Sequence, residues 1–210
     1  MPDAFRDYED DLRFNYPAKI PFGGFTTKHV EALQGDIKWE LIDGILYMMV
    51  PPSMFHNFIV QQLERQLLNY FENKACNVFD GDGVKLFADD TEGVIPDLAV
   101  VCDMNKLKDP LWIMGAPDFI IEVMSPKDKG KDLVIKKERY ELAGVREYWV
   151  IDMVKDYRIY QYVLEAEVYT EKVITIDKNK STSVAVKVDV GIFPECYLDI
   201  PIKSPAGWSV

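Results

Sequence analysis

The chain has 210 residues, 48% hydrophobic and 12% aromatic, and carries a formal net charge of -11. That length suits one large domain or two small ones, and the composition supports a sizeable core and excludes a disordered chain. An acidic surface repels phosphates on average, which argues against general coating of DNA but leaves room for a locally basic groove or a metal-filled acidic site.

Residues 1–25 are polar, with Pro17, Pro21, Gly23 and Gly24, and read as a loosely structured arm ahead of a domain covering 26–210. The start lacks an apolar core and does not read as a signal peptide. Thr26-Thr27 can cap a short helix over about 27–34. "WELIDGILYMMVPP" has two apolar stretches around Asp43-Gly44, a strong hairpin turn, so 38–50 is expected to be a β-hairpin. Phe55, Ile59, Leu63, Leu67 and Phe71 then recur every four residues, widened by Val60 and Tyr70, and predict an amphipathic helix opened near Ser53.

Strands are expected around 76–80 and 84–88, then in "VIPDLAVVCD" with Pro96 near its start, and in "DFIIEVMS". Ser125-Pro126 stops the last of these. "KDLVIKKERYELAG" suits a helix ending at Gly144, and "EYWVIDMVKDYRIYQYVL" gives two strands around Lys155-Asp156. The tail holds further β-rich runs such as "VAVKVDV". The fold class expected is α/β or α+β, with accessory strands.

No run of about 18 apolar residues occurs, so no transmembrane helix is expected. Cys76, Cys102 and Cys196 are odd in number and lack a CxxC pair, which argues against a disulfide framework or a zinc site. With only His29 and His56, a histidine-rich metal site is not expected either. Reducing cytoplasm is the expected compartment.

Two acids interrupt apolar strands: Asp97 in "VIPDLAVV" and Glu122 in "FIIEVMS". A buried carboxylate costs several kcal/mol unless a cation, a metal or several hydrogen bonds compensate it. Asp118 and Glu122 share a strand face but lie roughly 13 Å apart, too far for one ion. Neighbouring strands run about 4.8 Å apart, so Asp97 is the better partner for Glu122 if those strands pair. Hard divalent cations such as Mg²⁺ take such oxygen ligands. An exposed edge or a salt bridge is the alternative account of each acid. Lys136 and Lys137 flank the direction set by Leu133 and Tyr140 on a helical wheel, and periodicity does not choose between them. With Lys127, Lys129 and Lys131 they give positive charge where a phosphate backbone could approach.

"ELIDGILYMM", "PPSMFHNFIVQQL", "IPDLAVV", "APDFIIEVMSP" and "KKERYELAGVREYWVID" occur in that order. In this the chain resembles the Uma-type family of restriction endonucleases, itself similar to the PD-(D/E)XK nuclease superfamily, over roughly residues 25–200. The resemblance implies a restriction-endonuclease-like core: a mixed central sheet between helices, with accessory hairpins. Pro96-Asp97 matches the first part of the superfamily pattern and Glu122 its second acid. Met124 stands where the superfamily has lysine, and the family's lysine on the following helix corresponds to Lys136. Glu40 and His56 match two further family positions, Glu40 as an additional site acid and His56 as a phosphate contact or a helix cap. The implied activity is hydrolysis of DNA phosphodiesters with Mg²⁺, or Mn²⁺, held by Asp97, Glu122 and the Val123 carbonyl. A homodimer is expected, because cutting two strands suits two sites. A non-catalytic binding module on the same fold is the competing expectation.

Overall fold

The computed structural model describes residues 19–20, 24–33, 37–125, 131–153, 156–179 and 182–205. Most of the expected N-terminal arm, and Lys127 and Lys129, lie outside the described residues. In chain order the elements are β1 (Lys19–Ile20), α1 (Thr27–Ala32), β2 (Trp39–Ile42), β3 (Ile45–Met48), α2 (Met54–Phe71), β4 (Asn77–Asp80), β5 (Gly83–Lys85), β6 (Leu98–Val101), β7 (Trp112–Met114) and β8 (Phe119–Val123). A π-helical segment, Lys131–Lys136, leads into α3 (Lys137–Ala143). Then come β9 (Glu147–Asp152), β10 (Arg158–Glu165), β11 (Val168–Thr175), β12 (Ser183–Lys187) and β13 (Tyr197–Pro201).

The central sheet has the order β11-β10-β9-β8-β6-β4. It is mixed: β8 and β9 run parallel, joined through the π segment and α3, and the remaining neighbours are antiparallel. Strand alternation sends side chains to two separate cores. Phe119, Ile121 and Val123 of β8 join Leu98, Val100, Trp149 and Ile151 beneath α2 and the β12–β13 hairpin. Ile120 and Met124 join Ala99, Val101, Tyr148 and Val150 beneath Tyr140 and Val145. Glu122 falls on this second face, between Ile120 and Met124.

Local chemistry explains the element ends. The two-residue turn of β2–β3 needs left-handed backbone, and Asp43 and Gly44 supply it at φ 53° and 67°. Ser53 caps α2 by accepting the His56 N–H at 3.1 Å. Gly144 ends α3 in the left-handed region at φ 85°. The expected helix before Gly144 begins instead as a π segment. β7 went unforeseen because three residues are too few to show a period.

One expectation is corrected. Cys76 and Cys102 form a disulfide, while Cys196 is buried and unpaired. The cause is register: β4 and β6 pair with Asn77 opposite Val101, so the next residues outward, Cys76 and Cys102, face each other. A pairing 26 residues apart in sequence leaves no CxxC-like signal. Among the described residues no helix is long and apolar enough to cross a membrane.

Helix α2 buries Phe55, Ile59, Val60, Leu63, Leu67 and Phe71, the stripe read from the sequence with Tyr70 at its margin. Leu63 is fully enclosed, whereas Leu68 is half exposed. Leu63→Ala is therefore expected to lose about 2–5 kcal/mol in urea unfolding. Leu68→Ala should stay within about 0.5 kcal/mol of wild type. Equal losses would show that α2 is not seated on the sheet by this stripe.

Candidate active site

Strands β6 and β8 pair antiparallel with Leu98 opposite Ile121. Asp97 is the residue just before β6, in the bend that leads into it, and its side chain reaches β8 beside Glu122. The Val123 N–H donates to Asp97 Oδ2 at 2.7 Å, and His56 Nε2 lies 3.0 Å from the same oxygen. Glu122 Oε1 accepts from Lys136 Nζ at 2.7 Å and from the Tyr140 hydroxyl at 3.0 Å.

Lys136 is buried, and its Nζ also lies 2.6 Å from Glu40 Oε1 and 4.0 Å from Asp132 Oδ1. Glu40 is fully buried on β2. Its Oε1 further accepts the Ile95 N–H at 3.0 Å, and its Oε2 accepts Lys131 Nζ at 2.9 Å. Two lysines five positions apart thus grip one carboxylate. On an α-helix, residues five apart point about 140° away from each other. The π segment, whose turn closes at i→i+5, brings Lys131 and Lys136 back to one side. That local winding is why a helical wheel left the lysine choice open. Lys137 instead stands over the Tyr162 ring, 5.1 Å from its centre.

The structure therefore gathers Glu40, His56, Asp97, Glu122 and Lys136 in one place. They border a cleft of about 350 Å³ with Val123, Lys131 and Asp132. Glu40 has both oxygens engaged by protein donors, so it holds the lysines. Ser53, not the His56 side chain, caps α2, and the His56 ring is on Asp97. Asp118 lies away from this cluster, accepting the Cys102 N–H at 2.8 Å and facing Arg146 at 3.4 Å.

Sequence reasoning missed Lys131 as a second partner of Glu40, the burial of Asp132, and the Tyr140 hydroxyl on Glu122. A signal was present. Asp132, Lys136 and Tyr140 stand four apart, a polar stripe interleaved with the apolar residues used to orient the wheel.

Electrostatics set the protonation states. Burial alone would raise Glu40, but the charges of Lys136 and Lys131 overcome it and carry its pKa down to about 2. Glu122 is pushed well above the usual range by burial, opposed by Lys136 and reinforced by Asp97, Asp132 and Glu40. Burial lowers His56, yet the hydrogen bond and charge of Asp97 raise it overall. Lys136 is likewise raised against its burial, by Glu122 and Glu40. The cluster has four carboxylates (Glu40, Asp97, Glu122, Asp132) and two ammonium groups (Lys131, Lys136). With these six groups ionised two negative charges would remain, a state that the burial of Glu122 opposes and that a bound divalent cation would favour.

The donor set fits such an ion. Asp97 Oδ1 and Glu122 Oε2 have no hydrogen-bond partner among the described residues, while their sister oxygens are held in place. With the Val123 carbonyl these are hard oxygen donors. Among the described residues no three His, Cys, Asp or Glu side chains gather as a metal cluster. Mg²⁺ is suited to sparse ligation, because it keeps several waters and takes one or two carboxylates.

The family model described as "Putative restriction endonuclease", Uma2, matches residues 28–189. The chain belongs to this family. A crystal structure of a DUF820 protein from Anabaena variabilis, described as a putative nuclease, is similar at TM-score 0.63 and 16% identity, covering 79% of this chain and 89% of that one. At that identity the likeness speaks for the fold: a nuclease-like mixed α+β architecture. No curated protein matches the chain. The Uma2 match spans every element that supplies the cluster, from Glu40 on β2 to Tyr140 on α3.

Glu40 gives a pH-dependent test. Its folded pKa lies below the ordinary 4.5, so its ionised form stabilises the fold above about pH 4.5, and that contribution fades as pH falls toward 2. The shift corresponds to something on the order of 3 kcal/mol. Glu40→Gln should be several kcal/mol less stable than wild type at pH 7, since it removes the carboxylate that both lysines share. The gap should narrow between pH 4.5 and 2 in chemical unfolding. A gap that stays constant with pH would remove Glu40 from this role.

Proposed function

We propose that this chain is a Mg²⁺-dependent endonuclease that hydrolyses DNA phosphodiester bonds, with Mn²⁺ able to replace Mg²⁺. The observation that carries this reading is the cluster itself: Glu122 on β8 and Asp97 just before the neighbouring β6, each with one oxygen that has no hydrogen-bond partner among the described residues, next to a buried lysine. Asp97, Glu122 and the Val123 carbonyl would hold the ion. Bound there, the ion would supply Lewis acidity to the phosphate and lower the pKa of an attacking water.

The remaining steps belong to the side chains. Lys136, aimed at Glu122 from the π segment, is placed to orient the water or to stabilise charge developing on the phosphate. Glu40 keeps Lys136 and Lys131 charged and in position. His56 and the Val123 N–H fix the rotamer of Asp97, so that its other oxygen faces the cleft. Removing a residue that holds a metal ligand, as His56 holds Asp97, commonly changes metal affinity by about 10–100-fold. Tyr140 does the same for Glu122. Lys131, the more exposed of the two lysines, would meet the phosphate backbone at the cleft mouth.

Cleavage of both strands suits two copies related by a two-fold axis, so we infer a homodimer. Sedimentation of a monomer at micromolar concentration would overturn that inference while leaving the chemistry intact.

Relaxation of supercoiled plasmid in Mg²⁺ tests the chemistry. Asp97→Ala, Glu122→Ala and Lys136→Ala are each expected to cut at least about a hundredfold more slowly, the scale of losing one charge-stabilising group. Lys137→Ala, whose ammonium stands over Tyr162, should cut like wild type. Activity in Asp97→Ala equal to wild type would exclude the nuclease reading and favour a non-catalytic module on this fold.

A further inference from the structure

Next to the cleft lies a second, larger hollow of about 470 Å³. It shares Met49, Val50, Pro51, Pro52, His56 and Asp97 with the cleft, so the two form one continuous surface around Asp97. Their chemistry differs. The cleft has Lys131 and Lys136, and these are absent from the hollow. The hollow has instead an apolar floor including Val60 and Ile95, two carboxamides, Asn57 and Gln61, and the Asp80 carboxylate at its rim. Its cation, Lys38, donates to the Gly81 carbonyl at 3.3 Å.

That division has a consequence. Asp80 beside Asp97 repels a phosphate, so the hollow is unsuited to the backbone of a nucleic acid. A neutral, flat group with an apolar face and a polar edge suits it. Its volume is within the range of small-ligand pockets. Asn57 and Gln61 stand four apart on α2, on one face and exposed. Carboxamides pair with the N6 and N7 edge of adenine through one donor and one acceptor.

We propose that this hollow is the subsite for the base adjoining the scissile phosphate, and that Asn57 and Gln61 read it, with adenine as the preferred base. The inference rests on the nuclease reading for the position of the phosphate. Phosphate sits at the lysine-lined cleft, and the neighbouring base turns toward α2 across the shared Asp97 and His56 wall. Asn57 and Gln61 thereby set sequence preference; Asn57 also hydrogen-bonds the His56 side chain, so its loss is expected to slow cutting as well, whereas the base preference is read from the enrichment alone.

Sequencing the ends produced from a random duplex DNA pool in Mg²⁺ tests it. Wild type should enrich adenine about fivefold or more at one position within two base pairs of the cut. The Asn57→Ala/Gln61→Ala double variant should lose that enrichment. Asn57→Asp/Gln61→Glu, which keeps shape but only accepts hydrogen bonds, should move it toward cytosine, whose N4 group donates. No enrichment in wild type, or the same enrichment in both variants, overturns the subsite. Absence of any cutting by wild type counts against the nuclease reading alone. Duplexes selected by binding to the wild-type protein in Ca²⁺ then decide the subsite by the same criterion: one enriched base that the alanine variant loses supports it, and an even composition overturns it.

Discussion

A buried ammonium group is the constraint on which this structure turns. Lys136 is almost entirely enclosed, and an unpaired charge there would cost far more than the margin by which a domain is stable. Three separate parts of the chain must meet to satisfy it. The β2–β3 hairpin brings Glu40, strand β8 brings Glu122, and the π segment brings Lys136 itself. The hairpin is in turn fixed to the segment before β6, by a reciprocal pair of hydrogen bonds between Leu41 and Gly93 at 2.8 Å and by the Ile95 N–H on Glu40. An accessory hairpin and a segment outside the main sheet are thus tied directly to the candidate active site.

The same constraint accounts for the surplus of acids. One carboxylate suffices to neutralise one lysine. Here Glu40 is consumed by two lysines, and Glu122 shares Lys136 with it, while Asp97 is held by neutral donors and His56. What remains for the cleft is one oxygen each of Asp97 and Glu122 that has no hydrogen-bond partner among the described residues. The ladder of β6 and β8 ends at Leu98 and Ile121, and Asp97, in the bend just before β6, takes the Val123 N–H on its side chain. Glu122 points to the face that α3 covers, where it meets Tyr140. The irregular element is the π segment, and it sits at the lysines.

Much of this was legible in the sequence. The α2 stripe, the Asp43-Gly44 turn and the two interrupted strands each follow from local residue pattern. The pairing of Asp97 with Glu122, in preference to nearby Asp118, follows from strand spacing alone. Other features depend on long-range geometry and left no local trace. The Cys76–Cys102 bond arises from the β4–β6 register. Glu40's two lysines arise from a hairpin docking on a helix 91 and more residues away in sequence. The wheel left Lys136 and Lys137 undecided for a different reason: it assumed 3.6 residues per turn through a segment that winds more widely.

Met124 shows why a lysine can move without loss of the site. It lies two residues beyond Glu122 on β8, so a lysine there would emerge on the same face as Glu122, displaced along the strand by roughly 7 Å. In this chain Met124 is buried in the core beneath α3. The cation enters from above, on the element that covers that face, and reaches Glu122 directly at 2.7 Å. The two solutions place a charge in the same space but anchor it differently. A strand lysine is as rigid as the sheet. A lysine on the π segment is only as well placed as the packing of α3, through Tyr140 and Val145, against the sheet. Docking of that helix therefore positions the Lys136 cation, and the Tyr140 hydroxyl on Glu122 links packing and chemistry in one residue.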